Sequence, residues 1–76
     1  MPKLHLYTRR QCGLCDAFVD ALEAAQPRLP LDMRDVDADP AWRERFGHDV
    51  PVLTDAADRV ICMHHFDAAA LRAAVA

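Results

Sequence analysis

Two cysteines three positions apart, Cys12 and Cys15, are the residues of this sequence best suited to chemistry. They enclose Gly13 and Leu14 and stand between an apolar run, Leu4-His5-Leu6-Tyr7, and a segment patterned as a helix. A cysteine at or just before a first helical turn faces unpaired backbone N–H groups and the positive end of the dipole, both of which hold a thiolate. Thiolate is the nucleophile of disulfide exchange. Three residues of helix set two Cα atoms roughly 5 Å apart, within reach of a disulfide, so the pair can open and close with little backbone movement. Cys12, nearer the helix-end amides and solvent, is expected to attack; Cys15, one turn inside, is expected to resolve. Arg9 and Arg10 in the preceding loop are candidates for stabilising the thiolate or attracting a substrate carboxylate, and a merely solvated role is equally open.

The remaining candidates carry less. Cys62 alternates with Ile61 and Met63 in a strand-like run, where free cysteine packs as a small apolar residue, so it is expected to be dispensable for exchange. With Cys12, Cys15 and His64 or His65 it also completes the ligand set of a Cys3His zinc site, the main rival to thiol chemistry; a single CxxC with no second pair argues against it. A non-catalytic interaction module is the third reading. Asp35, Asp37 and Asp39 imitate the opening of a calcium loop, but Pro40 and Phe46 stand where such a loop needs glycine and glutamate, so calcium is rejected. Trp42 and Phe46 are one helical turn apart with no basic patch around them, which makes them core rather than a base-stacking platform. His5, His64 and His65 are read as surface or packing residues.

The elements that must position the two cysteines follow from pattern and punctuation. Residues 3–7 alternate, with Leu4 and Leu6 on one face and His5 and Tyr7 on the other, and read as a strand. From Leu14 onward Leu14, Phe18, Leu22 and Ala25 recur at helical spacing until Pro27 stops the run. Leu14 either opens that buried stripe or, lying between the cysteines, faces outward to dock substrate; both readings stand. Residues 31–37 lack clean alternation and suit an exposed edge strand. Asp39-Pro40 reads as a cap with proline in the first turn of a short helix that Gly47 ends. Residues 50–53 and 59–63 form a hairpin around Asp55-Ala56-Ala57-Asp58, and Asp67 caps a last helix through Val75. The order βαβαββα predicts a parallel first pair of strands and one four-stranded mixed sheet with three helices on its two faces.

With 76 residues, 53% of them apolar and 28% charged, the chain is expected to form one globular domain over residues 1–76. Nine Lys and Arg interspersed among twelve acids, net −3, leave no basic footprint for nucleic acid or an anionic membrane. No stretch reaches spanning length, and Met1-Pro2-Lys3 leads into the first strand without an apolar signal core. An odd cysteine count fits chemistry in a reducing compartment better than a secreted framework. A cytoplasmic monomer is expected.

Three features together resemble the glutaredoxin-like proteins of the thioredoxin superfamily: the CxxC after the first strand, Asp35-Val36-Asp37-Ala38-Asp39 closing the second, and Val50-Pro51 opening the third. The resemblance runs from about Lys3 to the C-terminus. It implies a thioredoxin-like α/β fold and thiol-disulfide oxidoreductase activity. It also implies a cis proline at Pro51 facing the sulfurs, beside which the Val50 backbone pairs with substrate. Protein disulfides are then the expected substrates, glutathione the candidate co-substrate, and no metal or organic cofactor is required. The chain departs from the family pattern at Gly13-Leu14, where Pro-Tyr is common, and at His64-His65, where Gly-Gly is usual.

Overall fold

Four strands and three helices alternate along residues 3–75, which the computed structural model describes; the reading of Met1 and Pro2 as a signal-free start lies outside them. They are β1 (Leu4–Thr8), α1 (Gly13–Ala25), β2 (Leu31–Asp35), α2 (Pro40–Phe46), β3 (Val52–Thr54), β4 (Val60–Met63) and α3 (Ala68–Val75). A 3-10 turn over Val36–Ala38 links β2 to α2. The sheet has the order β2-β1-β3-β4. β1 and β2 are parallel, from Leu4 opposite Leu31 to Thr8 opposite Asp35. β3 runs antiparallel to both β1, with Tyr7 opposite Val52, and β4, with Leu53 opposite Cys62.

Pairing explains burial. β1 lies inside the sheet with helices over both faces, so Leu4, Leu6 and Tyr7 are all buried. Leu4, Leu6 and Leu53 pack against Phe18 and Leu22 of α1 and Leu71 of α3. On the opposite face Tyr7 and Val52 pack against Val36 of the 3-10 turn and Phe46 of α2. Each fully buried Leu, Phe or Val contributes about 1.5–3 kcal/mol, and the sheet carries one such cluster on each face.

Several boundaries differ from the sequence pattern for identifiable reasons. β2 ends at Asp35, two residues early, because the Asp35 carboxylate accepts the Asp37 N–H at 2.9 Å and turns the chain into the 3-10 turn, which buries Val36. The three aspartates are thereby consumed without calcium: Asp35 caps this turn, Asp39 caps α2 by accepting the Ala41 N–H at 2.8 Å, and Asp37 binds Arg9. β3 starts at Val52 rather than Val50, since Pro51 has no N–H for the ladder. β1 and β4 run over 4–8 and 60–63 rather than 3–7 and 59–63. Gly47 ends α2 as expected, but with right-handed φ −58. Its lack of a side chain is needed for space instead: a Cβ there would lie 2.4 Å from the Arg43 carbonyl oxygen. Asp67 caps α3, its carboxylate accepting the Ala70 N–H at 3.0 Å. Among the described residues no helix is long and apolar enough to cross a membrane.

Antiparallel pairing on both sides of β3 has one consequence for function. The C-terminal end of β1, the start of β3 and the end of β4 all lie at one end of the sheet, and the loop into α1 leaves from there.

Candidate active site

Cys12 is the N-cap of α1, with extended backbone at φ −115 and ψ 105. Its carbonyl accepts the Asp16 N–H at 3.1 Å, the first bond of the helix, and its Sγ accepts the Cys15 N–H at 3.2 Å. The sulfur thus takes the place that a serine or aspartate oxygen usually fills at a helix start, where a donor and the dipole favour negative charge. Cys12 is half-buried while Cys15 is 3% exposed, and all three cysteines are free. Burial first, then the hydrogen bond and charge of Cys12, push the Cys15 thiol up to about 11; the Arg9 backbone N–H pulls the other way. The two cysteines therefore differ in exposure, as their positions on the helix start require.

The stripe that α1 buries begins at Cys15 and continues through Phe18 and Leu22. Leu14 and Ala25 are not part of it; of the two readings left open for Leu14, the structure has it facing outward, 47% exposed, between the two sulfurs' positions. The helix starts at Gly13 with Cys12 fixed as its cap, and this phase turns Leu14 to solvent and Cys15 inward. A Cβ on Gly13 would meet nothing within 4 Å, so the approach to Cys12 on that side is open.

The neighbouring strand ends complete the site. The Val50–Pro51 peptide bond is cis, Pro51 is buried and Val50 half-buried. The Pro51 carbonyl accepts the His64 N–H at 2.8 Å, and His64 Nε2 lies 3.3 Å from Asp49 Oδ1, so His64 touches both ends of this segment. His64 and His65 are exposed. Gln11 and His64 both hold left-handed backbone, φ 55 and 69, a conformation that residues other than glycine keep only where the surroundings impose it. Arg9 and Arg10 diverge. The Arg9 guanidinium donates to both oxygens of Asp37, at 3.0 and 3.2 Å, and to the Gly47 carbonyl at 3.0 Å. Arg10 is 92% exposed, its nearest carboxylate oxygen 3.9 Å away on Asp35.

Cys62 does not join this end of the sheet. It packs beside the α1 and α3 cluster, where burial pushes its thiol up. Among the described residues no three His, Cys, Asp or Glu side chains converge as a metal-binding group, so the three cysteines and His64 or His65 do not form the Cys3His set that the sequence left open.

A second polar cluster, which sequence reasoning did not find, lies toward the other end of the sheet on the α2 face. The Tyr7 hydroxyl donates to Asp58 Oδ1 at 2.6 Å and accepts from Arg34 Nη1 at 2.9 Å. His5 Nδ1 meets the same Asp58 oxygen at 2.8 Å, and its Nε2 lies 3.3 Å from Arg34 Nη2. Guanidinium only donates, which assigns the lone pair of His5 to Nε2 and its proton to Nδ1. Arg34 also donates to Asp32 at 2.9 Å and stacks over Trp42 at 4.9 Å. Burial and the Asp58 bond push the Tyr7 phenol above its ordinary value.

The chain matches, over residues 3–76, the family described as Glutaredoxin-like domain (DUF836), and it belongs to that family. No curated protein matches it. Among solved structures it is similar to the X-ray structure of target protein XcR50 from X. campestris, with 39% identity, TM-score 0.75, and coverage of 95% of this chain and 93% of that one. It is also similar to the solution structure of protein Ne2328 from Nitrosomonas europaea, with 26% identity, TM-score 0.81, and coverage of 97% and 92%. The fold is thioredoxin-like, as the sequence resemblance implied.

Proposed function

We propose that this glutaredoxin-like chain is a thiol-disulfide oxidoreductase in which Cys12 attacks and Cys15 resolves. The observation that carries this reading is the asymmetry of the pair: half-buried Cys12 holds its Sγ against a helix-start N–H, while Cys15 is buried one turn inside. The Cys12 thiolate attacks one sulfur of a substrate disulfide, the other sulfur leaves as a thiolate, and a mixed disulfide on Cys12 results. Two of the causes that hold the Cys15 proton, the Cys12 hydrogen bond and charge, end once Cys12 is bonded to substrate. Cys15 is thereby protected before attack and eased afterwards. It then attacks Cys12 Sγ, the intramolecular disulfide closes, and the second substrate thiol departs with the proton.

Protein disulfides and glutathione mixed disulfides are the substrate class, docked over exposed Leu14 and along the Val50 backbone at the adjoining strand end. Glutathione or a protein thiol returns the pair to the dithiol, and the chemistry needs no metal or organic cofactor. Three free cysteines suit a reducing compartment such as the cytoplasm, and the chain acts as a monomer on this reading.

Equilibration against a glutathione redox buffer, followed by mass analysis of alkylated protein, tests the proposal. The expected products are an intramolecular Cys12–Cys15 disulfide and, at limiting oxidant, a glutathione adduct confined to Cys12. A protein that stays fully reduced across the buffer range, or whose adducts sit on Cys62, overturns it.

A further inference from the structure

The loop that presents Cys12 runs from Arg9 to Gln11, and Gln11 holds left-handed backbone, so some contact must fix its course. The Arg9 side chain anchors the start of this loop. Its Nε and Nη2 bridge both oxygens of Asp37, in the 3-10 turn, and its Nη1 reaches the Gly47 carbonyl at the end of α2. One guanidinium therefore ties the cysteine loop to two elements of the opposite face. The fork is fully committed to these partners, whereas Arg10 extends into solvent. On the other side of the loop the Arg9 backbone N–H draws the Cys15 thiol down, against the burial that pushes it up.

We propose that Arg9 is a positioning residue for the resolving step, its fork to Asp37 and Gly47 fixing the loop backbone that leads into the CxxC helix start, and that it is not a contact for an anionic substrate. The proposal rests on the dithiol exchange reading. In the step concerned, Cys15 loses its proton and its Sγ attacks the Cys12 sulfur of Cys12–S–S–R. The Cys12–Cys15 bond forms, the bond to the R sulfur breaks, and RS− leaves and takes the proton. Overall the protein dithiol is oxidised by two electrons and the substrate disulfide is reduced to two thiols. An N–H donor beside Cys15 stabilises the charge that its sulfur carries into the attack. Cys12, bonded instead to the Cys15 N–H, attacks without it.

One equivalent of dithiobis-nitrobenzoate separates the steps, since Cys12 attack releases the first coloured thiolate and Cys15 attack the second. In Arg9→Met the first phase is unchanged and the second slows by about tenfold, the scale of a small misplacement of reacting groups. Asp37→Asn, which removes the charge and turns one of the fork's two acceptor oxygens into a donor while leaving Arg9 in place, slows the same phase and serves where Arg9→Met does not fold. The double variant is no slower than Arg9→Met alone, because both remove one interaction. Arg9→Lys does not rescue, since an ammonium cannot span the carboxylate and the carbonyl together. Arg10→Met leaves the second phase intact. An unchanged second phase in both Arg9→Met and Asp37→Asn, full rescue by lysine, or slowing confined to the first phase overturns the proposal. If the unsubstituted protein releases a single thiolate, dithiol exchange itself fails, an outcome distinct from all of these.

Discussion

The two ends of the sheet hold their polar groups in opposite ways. Toward the β3–β4 turn, His5, Tyr7, Arg34 and Asp58 are the residue types from which many active sites are built, yet each is occupied by the others and Tyr7 is 0% exposed. At the CxxC end the groups are fewer, but Cys12 is reachable, Gly13 leaves open space beside it and Leu14 stands in solvent. Saturation marks the first region as structure. Unspent capacity at the helix start makes the second the place for the proposed exchange. A cluster of suggestive residue types is thus a weaker sign of function than a reachable sulfur at a helix start.

Substitutions at the two ends should separate activity from stability. Cys12→Ser abolishes dithiol exchange, a loss of several orders of magnitude, while the denaturation midpoint stays near that of the unsubstituted protein. Tyr7→Phe does the reverse: it leaves Asp58 and Arg34 short of a buried partner and costs about 1–3 kcal/mol in urea unfolding, with exchange rates retained. If Tyr7→Phe instead slows exchange at unchanged stability, the saturated cluster has a functional role and the comparison fails.

The pH response of the buried thiol sharpens the same contrast. With Cys15 held near 11, its thiolate is scarce at neutral pH, roughly a hundredfold or more below a free thiol. Its alkylation should therefore rise steeply only in the alkaline range. A raised folded-state value means that the folded protein retains this proton above pH 9 while the unfolded chain has lost it, so the thiol's contribution to stability is present below the unfolded value and fades as pH climbs toward 11. In Cys12→Ser the alkylation inflection moves down, since the Cys12 contributions are gone, yet stays above that of a free thiol because burial is the leading cause. An inflection matching free cysteine contradicts the burial seen here.

Gly47→Ala brings the two halves of the argument together. Its Cβ would collide with the Arg43 carbonyl, costing about 1–3 kcal/mol, and would displace the carbonyl that holds Arg9. Lost stability together with a slower resolving phase is expected, and slow resolution should exceed what unfolding alone explains under native conditions. The smallest effect belongs to Leu14→Ser. An exposed site predicts a stability change within about 0.5 kcal/mol, with slower reduction of a protein disulfide but normal reaction with a small one. Equal slowing with both substrates would remove Leu14 from docking.

Much of this was legible in the chain itself. Local signals carried the CxxC at a helix start, the caps at Asp39 and Asp67, the Asp55–Asp58 turn and the edge position of β2, because each depends on residues within one turn of one another. The family likeness added the cis bond at Val50–Pro51. What stayed hidden depends on distant partners: Tyr7 meets Arg34 and Asp58 from 27 and 51 residues away, and Arg9 meets Asp37 from 28. Leu14 misled the helical pattern for a different reason. Hydrophobicity alone favours leucine over cysteine for the core, but the helix phase is set by its cap, and with Cys12 as cap Cys15 points inward. Gly47 ends α2 where spacing puts it, but its constraint is a contact four residues back that spacing cannot reveal.

The most direct measurement is capture of the intermediate. Cys15→Ser protein, incubated with a peptide disulfide at neutral pH and digested for mass analysis, should accumulate a mixed disulfide on Cys12 that persists because nothing resolves it. An adduct on Cys62, or the absence of any adduct while the unsubstituted protein still exchanges, would contradict the assignment of attack to Cys12 and resolution to Cys15.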